Sequence, residues 1–329
     1  MALPDFFVAG APKAGTTALH AALTQHSELF LSPVKEPKFF LTDGPPPTRG
    51  GPGDVKTYRE HIWQRADYEA LFAAAPAGTL RGESTPFYLY DRAAQRRIRA
   101  AVPAAKLIVV LRDPVERAHS NWAHLWSAGL DPIDDFVRAC EAEDARIEAG
   151  WADFWHYRRL GLYGAQLEHL YSVFDPAQVH IFRYRELIDD PAGTLDRICL
   201  FLGVTPGIVT SVPRENVTAH PELTRRHRHL ARLLRAASAV AARLPHHAGA
   251  AMIDRLEWSL QSGGAPRQPL SWDQRQALIP YFEEDLRLLE QLTGQDFSDW
   301  VRPREASGGL VGARPAGQGQ ARNGRPRAS

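Results

Sequence analysis

The sequence predicts an α/β protein: a parallel sheet flanked by helices, in a single domain that is extended toward its C-terminal end by helices alone. Three observations predict it. Short apolar runs, Phe6 to Ala9 and Leu107 to Leu111 above all, read as strands buried on both faces. Segments of helical spacing separate these runs, so successive strands need crossover connections and run parallel. The first strand passes into a helix through "GAPKAGTT", Gly10 to Thr17, a small-residue loop that makes the sheet P-loop-like.

The elements follow in order. The first strand is apolar and ended by Gly10; from Thr16 on, Leu19, Ala22 and Leu23 fall on one helical face. "ELFLSPVKEPKFF" is a short strand and a Pro-punctuated loop, and Asp43 to Asp54 is a Pro/Gly-rich, mobile loop. Helical segments run from Tyr58 to Ala75. "TLRGESTPFYLY" is a strand turned at Pro86. "KLIVVLRDP" is a buried strand with a polar stop, followed by a helix over Val115 to Ser127 and another over Pro132 to Ala149. "GLYGAQLEHLYSVF" is a helix and "QVHIFRYREL" a strand. An Asp-Pro entry opens a helix that ends at Gly203. Helices are expected over Glu222–Leu244, Ala250–Gln261 and Ser271–Thr293, and from Pro303 a Gly/Arg/Ala/Pro tail lacks the apolar residues a core needs.

Composition narrows the function. Of 329 residues 44% are hydrophobic and 23% charged, and the net charge of +1 gives no global field that would draw nucleic acid. Cys140 and Cys199 read as reduced packing thiols without metal-ligand spacing. No basic, apolar leader precedes the first strand and no apolar run has the length of a membrane span, so a soluble, cytoplasmic protein is expected. The Arg- and Ala-rich composition suggests a bacterial source of high GC content.

Two strand ends carry the chemistry. Ligands of such sheets bind at the carboxyl ends of strands. In "GAPKAGTT" the small residues Ala14 and Gly15 let backbone N–H groups approach an anion at the next helix's N-terminus. Thr16 and Thr17 either cap that helix or donate to the anion. A nucleotide-triphosphate loop has glycines at this spacing but a lysine where Thr16 stands; here the lysine is Lys13, before the second glycine. At the second strand end, "LRDPVERAHSNWAH", Arg112 leaves the strand and Ser120 lies two helical turns on, a clamp for a second, isolated phosphate. A competing reading makes Asp113 a magnesium ligand of a kinase or NTPase; Asp113 before Pro114 is equally an ordinary helix cap.

"PKAGTT" followed downstream by "RDPVERAHS" resembles the two cofactor motifs of sulfotransferases that use 3′-phosphoadenylyl sulfate (PAPS). "KEPKFF" and "GESTPFYLY" are similar to segments of the bacterial and heparan-sulfate-sulfotransferase-like branch. The late helix-strand-helix from Gly161 to Val204 resembles that of bacterial members. The resemblance spans Phe6 to Val204 and returns weakly over Ser271 to Trp300.

The resemblance implies a sulfotransferase domain over 1–302. Its cofactor core covers about 4–204, a helical acceptor-side part covers 217–302, and the tail 303–329 lies outside it. It implies PAPS as donor, its 3′,5′-bisphosphate (PAP) as product, and no metal. Lys13, with Ala14, Gly15, Thr16 and Thr17, would wrap the 5′-phosphosulfate. Arg112 and Ser120 would hold the 3′-phosphate, with Arg214 and Asn216 reaching the same end. Glu36 matches the family's catalytic base, and His124, one turn beyond Ser120, is the second candidate. Each has a plainer reading: Glu36 paired with Lys35 or Lys38, His124 packed among Trp122 and Trp126. His119 is expected to face elsewhere. Ser84 stands where glycan 3-O-sulfating relatives carry lysine, which counts against a heparan-like acceptor. Glu83 is either an acceptor contact or a strand-end carboxylate. Arg225 to His229 is a solvated helix face or a rim that draws in anions. The expected acceptor is a hydroxyl, ahead of an amine, on a small molecule, lipid or glycan. The alternatives are a P-loop kinase or NTPase, and a non-catalytic nucleotide-binding protein.

Overall fold

The computed structural model describes residues 3–213 and 269–301. Five strands form one parallel sheet: β1 (Phe6–Gly10), β2 (Leu29–Leu31), β3 (Leu80–Ser84), β4 (Lys106–Leu111) and β5 (Val179–Arg183), in the order β2-β3-β1-β4-β5. β1 is buried throughout and β4 in all but its first residue, which is why both read as unbroken apolar runs. Pairing in register sets Val8 beside Ser84 on one side and beside Ile108 on the other. The carboxyl ends of β3, β1 and β4 are therefore neighbours, and the three loops leaving them share one end of the sheet.

Among the described residues the helices are α1 (Thr16–Leu23), α2 (Asp54–Arg59), α3 (Arg65–Ala70), α4 (Arg92–Ala101), α5 (Pro114–Ser127), α6 (Phe136–Glu141), α7 (Glu143–Glu148), α8 (Tyr163–Val173), α9 (Tyr184–Asp189), α10 (Pro191–Leu202) and α11 (Trp272–Thr293). The expected helices over 222–244 and 250–261, the tail, Arg214, Asn216 and Arg225 to His229 lie outside the described residues.

The structure refines the expectations where local signals compete. Tyr58 to Ala75 holds the end of α2 and then α3, parted by a break at 60–64 where the Ile62 N–H leaves the helix to pair with the Pro37 carbonyl at 2.9 Å. Pro132 to Ala149 is likewise two short helices: the first starts only at Phe136, where the Asp135 carboxylate accepts the Arg138 N–H, and the second starts after Ala142. α4 was not anticipated: "RAAQRRIRAA" offers a thin apolar stripe, and the Asp91 carboxylate starts it by accepting the Ala93 and Ala94 N–H groups. The Pro/Gly loop expected to be mobile is pinned at its end. Buried Asp54 accepts the N–H groups of Gly51 (2.6 Å) and Ala152 (2.8 Å) and the Trp155 indole (2.8 Å).

α11 lies against α8, and Gly164 allows the contact: a Cβ there would stand 2.4 Å from the Asp285 carbonyl. The Asp285 carboxylate accepts the Gly164 and Ala165 N–H groups at 2.8 Å, capping α8 from another helix. No helix of the described residues is long and apolar enough to cross a membrane.

Candidate active site

The loop after β1 is shaped by what its glycines leave out. Gly15 is the N-cap of α1 at φ 89°, a conformation that only glycine adopts freely. A Cβ on it would also stand 2.5 Å from the Tyr184 ring. No side chain caps α1, so neither threonine takes the capping role left open for it; Thr16 is buried and Thr17 half-buried. The first-turn amides are left to whatever docks in the loop. Lys13 has φ 66°, and its carbonyl accepts from Arg112 Nη1 at 3.3 Å.

That bond joins the two predicted cationic positions. Arg112 leaves β4 with its own carbonyl held by the Tyr163 hydroxyl at 2.8 Å. Its guanidinium lies 5.2 Å over the Tyr184 ring and meets Glu116 at 3.3 Å. Its Nε is buried with no partner among the described residues. A buried donor left open is costly unless something fills it, so the arrangement fits an anion. Ser120 lies half-buried two turns along α5.

Beside Arg112 opens a cavity of about 440 Å³. Glu116 and His119 line it from α5, Trp272 and Arg275 from the start of α11, and Leu270 from the segment before it. His119 therefore borders this site, contrary to expectation; it does so while its ring packs edge-on against Phe136 at 5.0 Å. Sequence reasoning also missed Arg275, whose only signal was a cation in the first turn of a remote helix.

Asp113 is a cap and half of an ion pair. Its Oδ1 accepts the Val115 and Glu116 N–H groups at 3.0 and 3.1 Å, and Arg275 donates to its Oδ2. Burial raises its pKa, with Arg275 acting in the opposite direction. Both oxygens are engaged, so the magnesium-ligand reading gains no support.

Glu36 sits in the loop after β2, against the end of β3: its N–H donates to the Ser84 carbonyl at 2.9 Å. Lys35 Nζ lies 2.5 Å from one carboxylate oxygen and Lys38 Nζ 4.0 Å from the other. The pairings considered from the sequence are thus both present, and they leave 28% of the side chain open. Glu36 and Lys38 have φ values of 60° and 59°. His20 and His61 are each lowered to about 4, first by burial and then by the charges of Lys35 and Lys38 respectively, so both rings are neutral near pH 7. Ser84, in place of lysine, bonds His20 Nδ1 at 2.9 Å.

Glu83 is fully buried, which rules out acceptor contact and leaves the strand-end role. Tyr68 donates to one of its oxygens and Thr85 to the other at 2.7 Å, while the Tyr88 hydroxyl also faces it. Burial raises its pKa to about 7, against the pull of those three hydroxyls. His124, in the last turn of α5, meets Phe154 edge-on at 5.7 Å, and Phe154 meets Phe87 just past β3. It belongs to an aromatic wall rather than to the cationic loop.

Comparison with known proteins bears on this geometry. A model of the sulfotransferase family matches residues 4–206. Human heparan sulfate glucosamine 3-O-sulfotransferase 3B1 is 31% identical over 203 residues, which cover 61% of this chain and 46% of the relative. Human bifunctional heparan sulfate N-deacetylase/N-sulfotransferase 3 is 30% identical over 215 residues, 62% of this chain and 23% of the relative. The chain thus matches less than half the length of either. The crystal structure of a sulfotransferase from Alicyclobacillus acidocaldarius superposes with a TM-score of 0.70 at 28% identity, covering 92% of this chain and 100% of that one.

Proposed function

The chain belongs to the sulfotransferase family, and we propose that it moves a sulfuryl group from PAPS to a hydroxyl, ahead of an amine, by in-line displacement. The observation that carries this reading is the Arg112 guanidinium, reaching from the end of β4 to the Lys13 carbonyl with a buried Nε still open. Two cationic residues and an uncapped helix N-terminus at adjoining strand ends suit a ligand with two separate anionic groups better than a triphosphate chain.

The bound donor supplies an activated sulfur–oxygen bond. The chain's residues position it and stabilise charge. Lys13 neutralises charge at the breaking bond, while the amides of Ala14 and Gly15 and the groups of Thr16 and Thr17 hold the 5′ end. Arg112 and Ser120 hold the 3′-phosphate, and Arg214 is assigned to the same end. Glu36 takes the acceptor's proton, and Lys35 and Lys38, paired to its two oxygens, hold its carboxylate in place. His124, on the aromatic wall, orients the acceptor or serves as the alternative base. No metal is assigned a role, and a cytoplasmic setting suits the two free, buried thiols.

The acceptor is a small molecule, a lipid or a glycan. Ser84, bonded to His20 in place of a lysine, supports an acceptor less anionic than heparan sulfate.

The test is thermal stabilisation by millimolar PAP, followed by incubation with PAPS and a broad acceptor panel read by mass spectrometry for an added sulfonate. PAP is expected to raise the melting temperature of the wild type, and Lys13→Ala and Arg112→Ala to diminish that rise. A wild type unmoved by PAP, or one that turns over ATP with magnesium, would reject the reading.

A further inference from the structure

The backbone from Glu36 to Phe40 is held in place by hydroxyl groups rather than by neighbouring backbone alone. The Lys38 N–H donates to Thr85 Oγ at 3.3 Å, and the Phe40 N–H donates to the Tyr88 hydroxyl at 3.3 Å. Both hydroxyls also face the Glu83 carboxylate, and the third that does so, on Tyr68, belongs to a ring stacked on Phe39 at 4.3 Å. Thr85 and Tyr88 thus touch the 38–40 segment through their hydroxyls and Tyr68 through its ring. A hydroxyl has one hydrogen to give and lone pairs to receive. While Glu83 is ionised it can only accept, so a hydroxyl bonded to it gives it the hydrogen and keeps its lone pairs for a backbone N–H.

We propose that Glu83 is a positioning residue for Glu36: by accepting from Thr85 and Tyr88 it fixes both hydroxyls as acceptors for the Lys38 and Phe40 N–H groups and locks the left-handed turn that carries the Glu36 carboxylate. It rests on the sulfotransferase reading only in giving Glu36 its task. The arrangement explains why a carboxylate is kept where no solvent reaches it and where, among the described residues, no cation pairs with it. A neutral acid would have a hydrogen of its own to donate and would compete for the lone pairs that the turn needs. The groups facing it from α3, from the 86–89 turn and from the end of β3 are the neutral hydroxyls of Tyr68, Tyr88 and Thr85, so protonation of Glu83 itself is the event to follow.

The experiment is hydrogen–deuterium exchange on the full chain, read on the peptide covering 33–41 with the peptide covering 6–23 as control. Thr85→Val is expected to speed exchange in 33–41 about fivefold to tenfold, the loss of one hydrogen bond, and Thr85→Ser to restore it. In the wild type, exchange in 33–41, corrected for the intrinsic rate, is expected to rise as pH falls from about 8 to about 6 while Glu83 becomes protonated. Glu83→Gln should remove that dependence. Unaltered exchange in Thr85→Val, acceleration spread equally over both peptides, or the same pH dependence in Glu83→Gln would overturn the proposal. Absence of PAP stabilisation in the wild type would instead remove the sulfotransferase reading and leave the exchange result standing.

Discussion

Lys13, Glu36 and Lys38 are, among the described residues, the positions other than glycine that hold a left-handed backbone. Each such residue costs roughly 1–2 kcal/mol that a glycine would not. That three charged side chains occupy these positions is a physical argument that the side chains themselves are needed there. Lys38→Gly is accordingly expected to leave stability level or raise it by up to about 1 kcal/mol in urea denaturation, while lowering turnover. Glu36→Gln is expected to lower turnover by about 10²–10⁴-fold and leave the PAP-induced thermal shift unchanged; equal losses in both would make Glu36 a binding group. Glu83 makes a prediction of the opposite kind. Its pKa is raised from 4.5 to about 7, so the folded state holds the proton more tightly than the unfolded chain. The stability this contributes is complete below the unfolded value and is lost as pH rises through the folded one. Between about pH 5 and pH 8 the wild type should lose about 3 kcal/mol relative to Glu83→Gln. The motifs at Lys13, Glu36 and Arg112 were legible because loop chemistry is written in neighbouring residues. The burial of Glu83 and the cavity-facing edge of His119 were not, because both depend on partners brought in by the sheet and by α6.

At the scale of elements, the entry to α5 is the critical joint. Asp113 caps the helix that carries Ser120 and His124, and Arg275 reaches it from α11 with only 12% of the arginine and 11% of the aspartate exposed. Removing one partner from so enclosed a pair leaves a charge without compensation. Arg275→Ala is expected to destabilise the protein by about 3 kcal/mol in chemical denaturation, and to weaken PAP stabilisation through the adjoining Arg112. A loss below about 1 kcal/mol would mean that water replaces the arginine. The capped helices α5, α10 and α11 were legible because Asp-Pro entries and a serine cap announce them. α4 was not, since its stability comes from Asp91 and from packing on α8 rather than from an apolar face.

The whole molecule is larger than its family-matched part. The match ends at residue 206, yet Leu278, Ile279, Phe282, Leu286 and Leu289 of α11 are buried against the rest, and Arg183 at the end of β5 binds Asp299 at 2.5 Å. A chain cut after Pro213 would expose the apolar surface that α11 covers on α8 and uncap that helix. It is expected to be aggregation-prone, with loss of the cooperative melting transition in calorimetry. The parallel α/β class was legible from alternating patterns; the strand order was not, because nothing local says which buried strand lies next to which.

Tyr184 ties two positions distant in the sequence into one steric unit. Its ring fills the volume that Gly15 leaves and carries the Arg112 guanidinium on its face. Any larger residue at 15 would have to evict the ring, and a smaller residue at 184 that made room would strip Arg112 of its support. A change at either site alone therefore loosens the grip on Arg112 that the other maintains.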